Sequence, residues 1–203
     1  MKYFITAIDT NVGKTIVSAI LCKALNYSYW KPIQCGDLEN SDTLKVKGLV
    51  EKVNAFKETF ALKDPLSPHE AARLSSVNVD IDSFILPAND SLIIEGAGGL
   101  MVPLNDKGDL VIDIAKKFSA EIILVIKNYL GSVNHSLLSL DYLKRNNFKI
   151  KGIVITGDSN PSSERIIEEI SGCKIILRIP QSSFINEDFI EQQALRAVKV
   201  FTD

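Results

Sequence analysis

Six short, almost unbroken apolar runs, at 3–8, 29–33, 91–95, 122–126, 150–156 and 174–179, constrain this chain more than any other feature. A strand with one wet face alternates apolar and polar residues. A run that is apolar at nearly every position has to be buried on both faces, as in a parallel sheet covered by helices. The intervening segments supply the cover: 14–26, 41–53, 69–75, 109–118, 132–145, 162–170 and 187–201 carry apolar residues at three- and four-residue spacing, the stripe of an amphipathic helix. Strands alternating with helices of this length imply right-handed crossovers and a three-layer α/β fold with a mostly parallel central sheet. The 203 residues are read as one domain, 1–203, long enough to bury a full core without staples. No internal repeat or linker interrupts the pattern. The least regular stretch, 55–88, holds Pro65, Pro68 and Pro87 and is expected to contain a loop over the active face.

Composition removes several function classes. A formal net charge of −2 argues against a dedicated nucleic-acid surface, which needs clustered positive charge. The lysines do not cluster; Lys45 and Lys47, or Lys116 and Lys117, are mixed with acids and read as solvated helix faces. The three cysteines, Cys22, Cys35 and Cys173, are odd in number and lack C-x-x-C spacing, so neither a disulfide framework nor a zinc site is indicated. The apolar start of the chain is broken by Asp9 and is too short for a secretory core or a membrane span. A reduced, cytoplasmic setting is expected, with neither membrane nor nucleic acid as partner.

In a sheet of this kind ligands bind beyond the carboxyl ends of the strands, and the unusual residues fall there. After the first run comes Ala7-Ile8-Asp9-Thr10-Asn11-Val12-Gly13-Lys14-Thr15. A phosphate chain needs inward-pointing NH groups, a helix N-terminus, a lysine, and a hydroxyl for magnesium. Gly13, Lys14 and Thr15 meet those needs, although G-x-x-x-x-G-K-[ST] spacing would put its first glycine where Ile8 stands. A strand-turn-helix with a chance Gly-Lys-Thr is the bland alternative. Second, Glu95-Gly96-Ala97-Gly98-Gly99 follows the run Leu92-Ile93-Ile94. A carboxylate at a buried strand end beside a phosphate loop is placed to join the magnesium shell, and the glycines allow close backbone approach. Third, Lys31 falls in or at the end of a short apolar run. It is either an ordinary edge lysine or an ammonium facing an anion. Asp42 likewise either caps the following helix with Ser41 or acts with the phosphate loop. His69 and His135 stand at helix starts, away from other metal-ligand types, and read as structural.

Taken together these segments resemble the dethiobiotin synthetases, the ATP-dependent cyclo-ligases of biotin synthesis. The resemblance covers almost the whole chain. It rests on D-T-x-V-G-K-T at 9–15, K-P-[VI]-x-x-G at 31–36, N-S-D at 40–42, S-P-H at 67–69, E-G-A-G-G at 95–99, L-G-x-x-N-H at 130–135 and I-P at 179–180, in that order. It implies that Asn11, Val12, Gly13, Lys14, Thr15 and Ile16 hold the triphosphate of ATP, with Thr15, Asp42 and Glu95 around Mg²⁺. Lys14 and Lys31 become the two catalytic ammonium groups flanking the reacting centre. Thr10, Lys31 and Cys35 are implied substrate contacts, while Asn134 approaches the site from the second subunit of a homodimer. Glu95, Gly96, Ala97, Gly98, Thr156, Gly157, Pro180, Gln181, Ser182 and Glu187 match positions around the nucleotide. The implied reaction joins 7,8-diaminononanoate, CO₂ and ATP through a carbamate and a carbamic-phosphoric anhydride to give dethiobiotin, ADP and phosphate.

Three positions depart from the family pattern. Ala7 stands where relatives usually have Gly, and its methyl is tolerable if φ stays below zero. Cys35 replaces a Ser or Thr hydroxyl with a thiol, a weaker hydrogen-bonding group. Thr156-Gly157 replaces the Asn-led pair that reads adenine, so one hydroxyl stands in for an amide. Two other readings are distinguishable. A switch ATPase of the partitioning or metallocentre-insertion type usually shows K-G-G-x-G-K-[ST], yet no lysine lies between Lys2 and Lys14. A degenerate nucleotide-binding protein would not be expected to keep Lys14, Thr15, Lys31, Asp42 and Glu95 together.

Overall fold

The computed structural model describes residues 1–201. In chain order its elements are β1 (Lys2–Ala7), α1 (Lys14–Leu25), β2 (Ser28–Trp30), β3 (Ile33–Cys35), α2 (Asp42–Leu49), β4 (Ala55–Phe56), β5 (Phe60–Leu62), α3 (Pro68–Leu74), β6 (Leu92–Glu95), α4 (Asp113–Lys117), β7 (Glu121–Lys127), α5 (Ser132–Arg145), β8 (Ile150–Thr156), α6 (Pro161–Ser171), β9 (Ile175–Ile179) and α7 (Glu187–Phe201). Seven strands form one sheet in the order β4-β2-β6-β1-β7-β8-β9, and β3 pairs with β5 in a separate two-stranded sheet. Every pairing between these strands is parallel.

Because successive strand residues point to opposite faces, each unbroken apolar run feeds two cores. Phe4, Leu92, Ile94, Ile122, Leu124 and Ile126 join one cluster, together with residues of α4, α5 and α6. Tyr3, Ile5, Ile93, Ile123 and Val125 join the other, on the side of α1 and α7. The helices of each side pack on one another, α1 on α7 and α5 on α6. This is the α/β architecture the runs imply. No helix among the described residues is long and apolar enough to cross a membrane.

The structure alters the sequence expectations in three places. The run at 29–33 is not one strand: β2 stops at Trp30 and β3 starts at Ile33 in the other sheet. Pro32 has no NH to continue the ladder, and its carbonyl instead accepts from the NH groups of Thr59 and Phe60, which brings β5 alongside β3. The expected helix at 109–118 begins only at Asp113, because the preceding residues fold back through an antiparallel bridge between Pro103 and Leu110. Asp113 Oδ2 closes that loop by accepting from Leu110 N at 2.8 Å. The helix expected over 41–53 ends at Leu49, where Val50 is extended and Lys52 turns left-handed to start β4.

Gly36 joins the small sheet to the stretch at 65–68. Its φ is +71°, and a Cβ there would lie 2.6 Å from Pro65 Cβ and 2.7 Å from Pro65 Cα. Both atoms belong to a ring that cannot swing aside. Gly36→Ala is therefore expected to lower unfolding stability by about 2 kcal/mol or more, read as a shift in the denaturant midpoint; an unchanged midpoint would show that the 65–68 turn is not held against Gly36.

Candidate active site

The carboxyl ends of β1, β2 and β6 converge on one point. Beyond β1 the chain turns through Asn11 at φ +55° and Gly13 at φ +95°, so that α1 begins at Lys14. Ala7 is fully buried and is absent from the positive-φ residues, so the condition for its methyl is met. Lys14 Nζ donates to the Asp9 carbonyl at 3.1 Å, folding the loop around the ammonium. Burial, and then the charge of Lys31, pull the Lys14 ammonium down to about 8, with Glu95, Asp42 and Asp9 opposing. A cation so poorly solvated gains from an arriving phosphate.

Sheet parity places the second lysine. Tyr29 lies opposite Ile93 in the β2–β6 pairing, so Lys31 emerges two residues on, level with Glu95. Lys31 Nζ donates to Asp42 Oδ2 at 2.6 Å, to Glu95 Oε1 at 3.0 Å and to the Gly96 carbonyl at 3.2 Å, with only 4% of the residue exposed. Burial alone would lower its affinity for the proton; the carboxylates of Glu95 and Asp42 outweigh burial and raise it, so Lys31 is a fixed cation. Asp42 is correspondingly shifted down: burial pushes it up, and the ion pair with Lys31 more than reverses that. Ser41, not Asp42, caps α2, accepting from Leu44 N at 3.3 Å, which leaves the Asp42 carboxylate for Lys31. Thr15 Oγ1 donates to Glu95 Oε1 at 3.0 Å, closing the cluster onto the phosphate loop.

Two cavities share that loop. The larger, about 870 Å³, is lined by Thr10, Lys14, Thr15, Lys31, Cys35, Asp42, Glu95, Ala97 and Gly98. The smaller, about 190 Å³, is lined by Val12, Thr156, Gly157, Pro180, Gln181 and Ser182. Asn11, Gly13 and Ile16 border both. Residues 65–68 stand at the wall of the larger cavity, where the Pro-rich stretch was expected to loop. Gly96 contributes its carbonyl to Lys31. Glu187, the first residue of α7, lines neither cavity, and Asn134 is exposed on α5 and lines neither. Burial pushes the Cys35 thiol up to about 11, so it faces the cavity as a neutral group.

Thr156 lines the smaller cavity while its hydroxyl is committed to the backbone. Its hydroxyl is buried and donates to the Val12 carbonyl at 2.7 Å, with the Ile126 carbonyl at 3.4 Å. A hydroxyl has one proton, and here it ties the end of β8 to the phosphate loop. His69 and His135 keep local roles: His69 Nδ1 lies 3.0 Å from Ser67 Oγ, and His135 Nδ1 lies 2.8 Å from Tyr129 Oη.

Other participants were not foreseen. Lys45, read as solvated, lines the larger cavity and pairs with Asp37 at 2.9 Å and with Asp42 at 3.8 Å. Gln34 is buried, accepts from Asp42 N at 3.3 Å and donates to the Gly36 carbonyl at 3.0 Å, bracing the start of α2. A lone polar residue between Ile33 and Cys35 was the available signal for Gln34. Nothing in the helical spacing of Lys45 distinguishes it from a surface lysine.

A family model described as an AAA domain matches residues 1–188. Among solved structures, the Pyrococcus furiosus cell division ATPase MinD superposes with a TM-score of 0.61 at 13% identity, covering 99% of this chain and 98% of that one. A putative plasmid partition protein from Borrelia burgdorferi, bound to AMPPNP, gives 0.61 at 12% identity, covering 99% and 97%. At such identities these neighbours share the P-loop fold with this chain and nothing finer. Sequence relatives are much nearer. The ATP-dependent dethiobiotin synthetase of Christiangramia forsetii is 45% identical over 196 residues, 95% of this chain and 94% of the relative. That of Cytophaga hutchinsonii is 46% identical over 200 residues, 96% of each. With likeness of that degree over nearly the full length of both chains, the chain belongs to the ATP-dependent dethiobiotin synthetase family.

Proposed function

We propose that this chain makes dethiobiotin from 7,8-diaminononanoate, CO₂ and ATP, with Mg²⁺ as cofactor. The observation that carries the reading is the Lys31 ammonium, buried between Asp42 and Glu95 at 2.6 and 3.0 Å and bordering a cavity that continues into the phosphate loop. A switch ATPase needs no roomy cavity beside its phosphate site. A ligase that holds a diamine there does.

The chemistry follows from charge. One substrate amine attacks CO₂ and loses a proton to give a carbamate. A carbamate oxygen attacks the γ-phosphorus of ATP, the bond to the ADP oxygen breaks, and a carbamic-phosphoric anhydride forms. The second amine then attacks the carbonyl carbon and expels phosphate, closing the five-membered ureido ring. The carbamate and the transferring phosphoryl group are both anionic, and no covalent protein intermediate is required. Lys31, held as a cation, is placed to offset charge on the carbamate, and Lys14 to offset charge on the transferring phosphoryl group. Thr10 and Cys35 line the same cavity and are proposed to contact the diamine.

Thr15, Asp42 and Glu95 supply a hydroxyl and two carboxylates around one point. This all-oxygen set suits Mg²⁺, which usually takes one or two carboxylates plus phosphate oxygens and waters; when bound it would neutralise triphosphate charge. The base lies, in this reading, in the smaller cavity among Thr156, Gly157, Pro180, Gln181 and Ser182. Asn134, exposed and away from the cavities of its own chain, suits the proposed role toward a second copy in a homodimer. As a consumer of ATP the enzyme is assigned to the cytoplasm.

Two measurements follow. Lys31→Met is expected to lower the rate of dethiobiotin formation by roughly a hundredfold or more, about 3 kcal/mol of lost charge stabilisation, while ADP binding stays within a few-fold; a rate close to wild type would remove Lys31 from the chemistry. Thr156→Val deletes only the hydroxyl that holds Val12. Binding of ATP, GTP and CTP, followed by calorimetry, should weaken by a common factor of roughly five to ten, the worth of one buried hydrogen bond. A loss confined to ATP would instead make Thr156 a reader of adenine.

A further inference from the structure

None of the roles above uses Tyr29, yet its hydroxyl reaches the centre of the site. Tyr29 lies in β2, fully buried, with its ring in the core cluster on the α1 side. Its hydroxyl donates to Glu95 Oε2 at 2.9 Å. The other carboxylate oxygen, Oε1, accepts from Thr15 Oγ1 and Lys31 Nζ, each at 3.0 Å. The two oxygens of Glu95 are thus divided between a core phenol and the groups that border the larger cavity.

The sheet makes this division possible. Tyr29 sits opposite Ile93, on the same face as Glu95 and one pleat before it. A phenol rising from that position spans the pleat, so that its hydroxyl reaches Glu95 Oε2 while its ring stays in the core. The terminal torsion of a glutamate is broad and nearly two-fold, so a carboxylate at a strand end would otherwise turn between orientations. A donor fixed to one oxygen removes that freedom.

We infer that Tyr29 is a positioning residue for Glu95: its hydroxyl holds Oε2 so that the carboxylate presents one oxygen, Oε1, toward Thr15 and Lys31. The inference rests on the proposed magnesium role of Glu95. Mg²⁺ tolerates little departure from octahedral geometry, so a carboxylate delivered in one orientation is worth more to it than a rotating one. Partners that hydrogen-bond a ligating group from behind typically change metal affinity by about 10–100-fold when removed.

The test uses Tyr29→Phe, which keeps the ring in the core and deletes only the donor. Calorimetric titration with a non-hydrolysable ATP analogue, repeated over a series of Mg²⁺ concentrations, gives the Mg²⁺ level needed for half-maximal binding. Y29F is expected to raise that level about tenfold, while the KM for the diamine at saturating Mg²⁺ stays within about twofold of wild type. Glu95→Gln serves as the reference, and Y29F in that background should have no further effect, as required when two residues act through one contact. Installing 4-aminophenylalanine at position 29 restores a donor at the same place and should return the Mg²⁺ requirement to near wild type. If Glu95→Gln leaves the Mg²⁺ requirement unchanged, the magnesium reading of Glu95 fails. If Glu95→Gln raises it and Y29F does not, Tyr29 is a core residue only and the inference is overturned. A defect of Y29F that 4-aminophenylalanine fails to repair overturns it too, since packing would then be the cause.

Discussion

The buried ion cluster of Lys31, Asp42 and Glu95 is the contact on which the rest of the site depends. An ammonium and a carboxylate out of water are tolerated only when each is paired and hydrogen-bonded. Here the pairing joins four separate parts of the chain: the β2–β3 connection, the first turn of α2, the end of β6 and, through Thr15, the first turn of α1. Removing any one member strands a charge in the interior, so the cluster locks the phosphate loop to the substrate side of the site. It also concentrates opposite charges at the wall of the larger cavity. The same arrangement serves folding and chemistry, and its cost is met by hydrogen bonds from Tyr29 and to the Gly96 carbonyl.

Pro32 decides how that cluster meets the cavity. Had the apolar run continued as one strand, Lys31 would have stayed inside the ladder. The missing NH of Pro32 ends β2, frees the chain to leave the main sheet, and sends β3 to pair with β5. Gly36 then meets Pro65, and the 65–68 turn is brought to the wall of the larger cavity. Thus a single residue beside Lys31 sets both the lysine's exit from the sheet and the enclosure in front of it.

Residue periodicity made most of the architecture legible. The run at 122–126 is buried throughout and that at 150–156 from Gly152 onward, and the helices at 132–145 and 187–201 begin and end where spacing put them. What escaped was set by partners distant in sequence. Tyr29 reads as an ordinary core aromatic, and only the β2–β6 register brings it under Glu95. Lys45 looks like a solvated helix lysine until Asp37 and Asp42 are folded beside it. Asp42 could not be separated from a helix cap by local pattern; the division of labour with Ser41 is a tertiary fact. Thr156 is the sharpest case, since its position suggests the base while its proton goes to Val12, 144 residues away.

That last contact separates two problems the enzyme has to solve. The larger cavity, proposed to hold the diamine, is organised by charge, around Lys31. The smaller cavity, proposed to hold the base, is organised by neutral contacts and by a nearby buried carboxylate, Glu164, which accepts from Asn160 N at 2.9 Å, from Ser159 Oγ at 3.0 Å and from Arg178 Nε at 2.7 Å. Those bonds set the turn after Gly157 and tie it to β9, which leads into Pro180 and Gln181. Among the described residues, neither the Glu164 group nor the Lys31 cluster shares a residue with the other; the phosphate loop touches both sides, through Val12 to Thr156 and through Thr15 to Glu95. In the reading proposed above, substitutions around the smaller cavity that leave the Thr156–Val12 bond intact change which nucleotide is held without disturbing the charges placed beside the carbamate. The reverse does not hold for the loop itself, where any shift is felt on both sides at once.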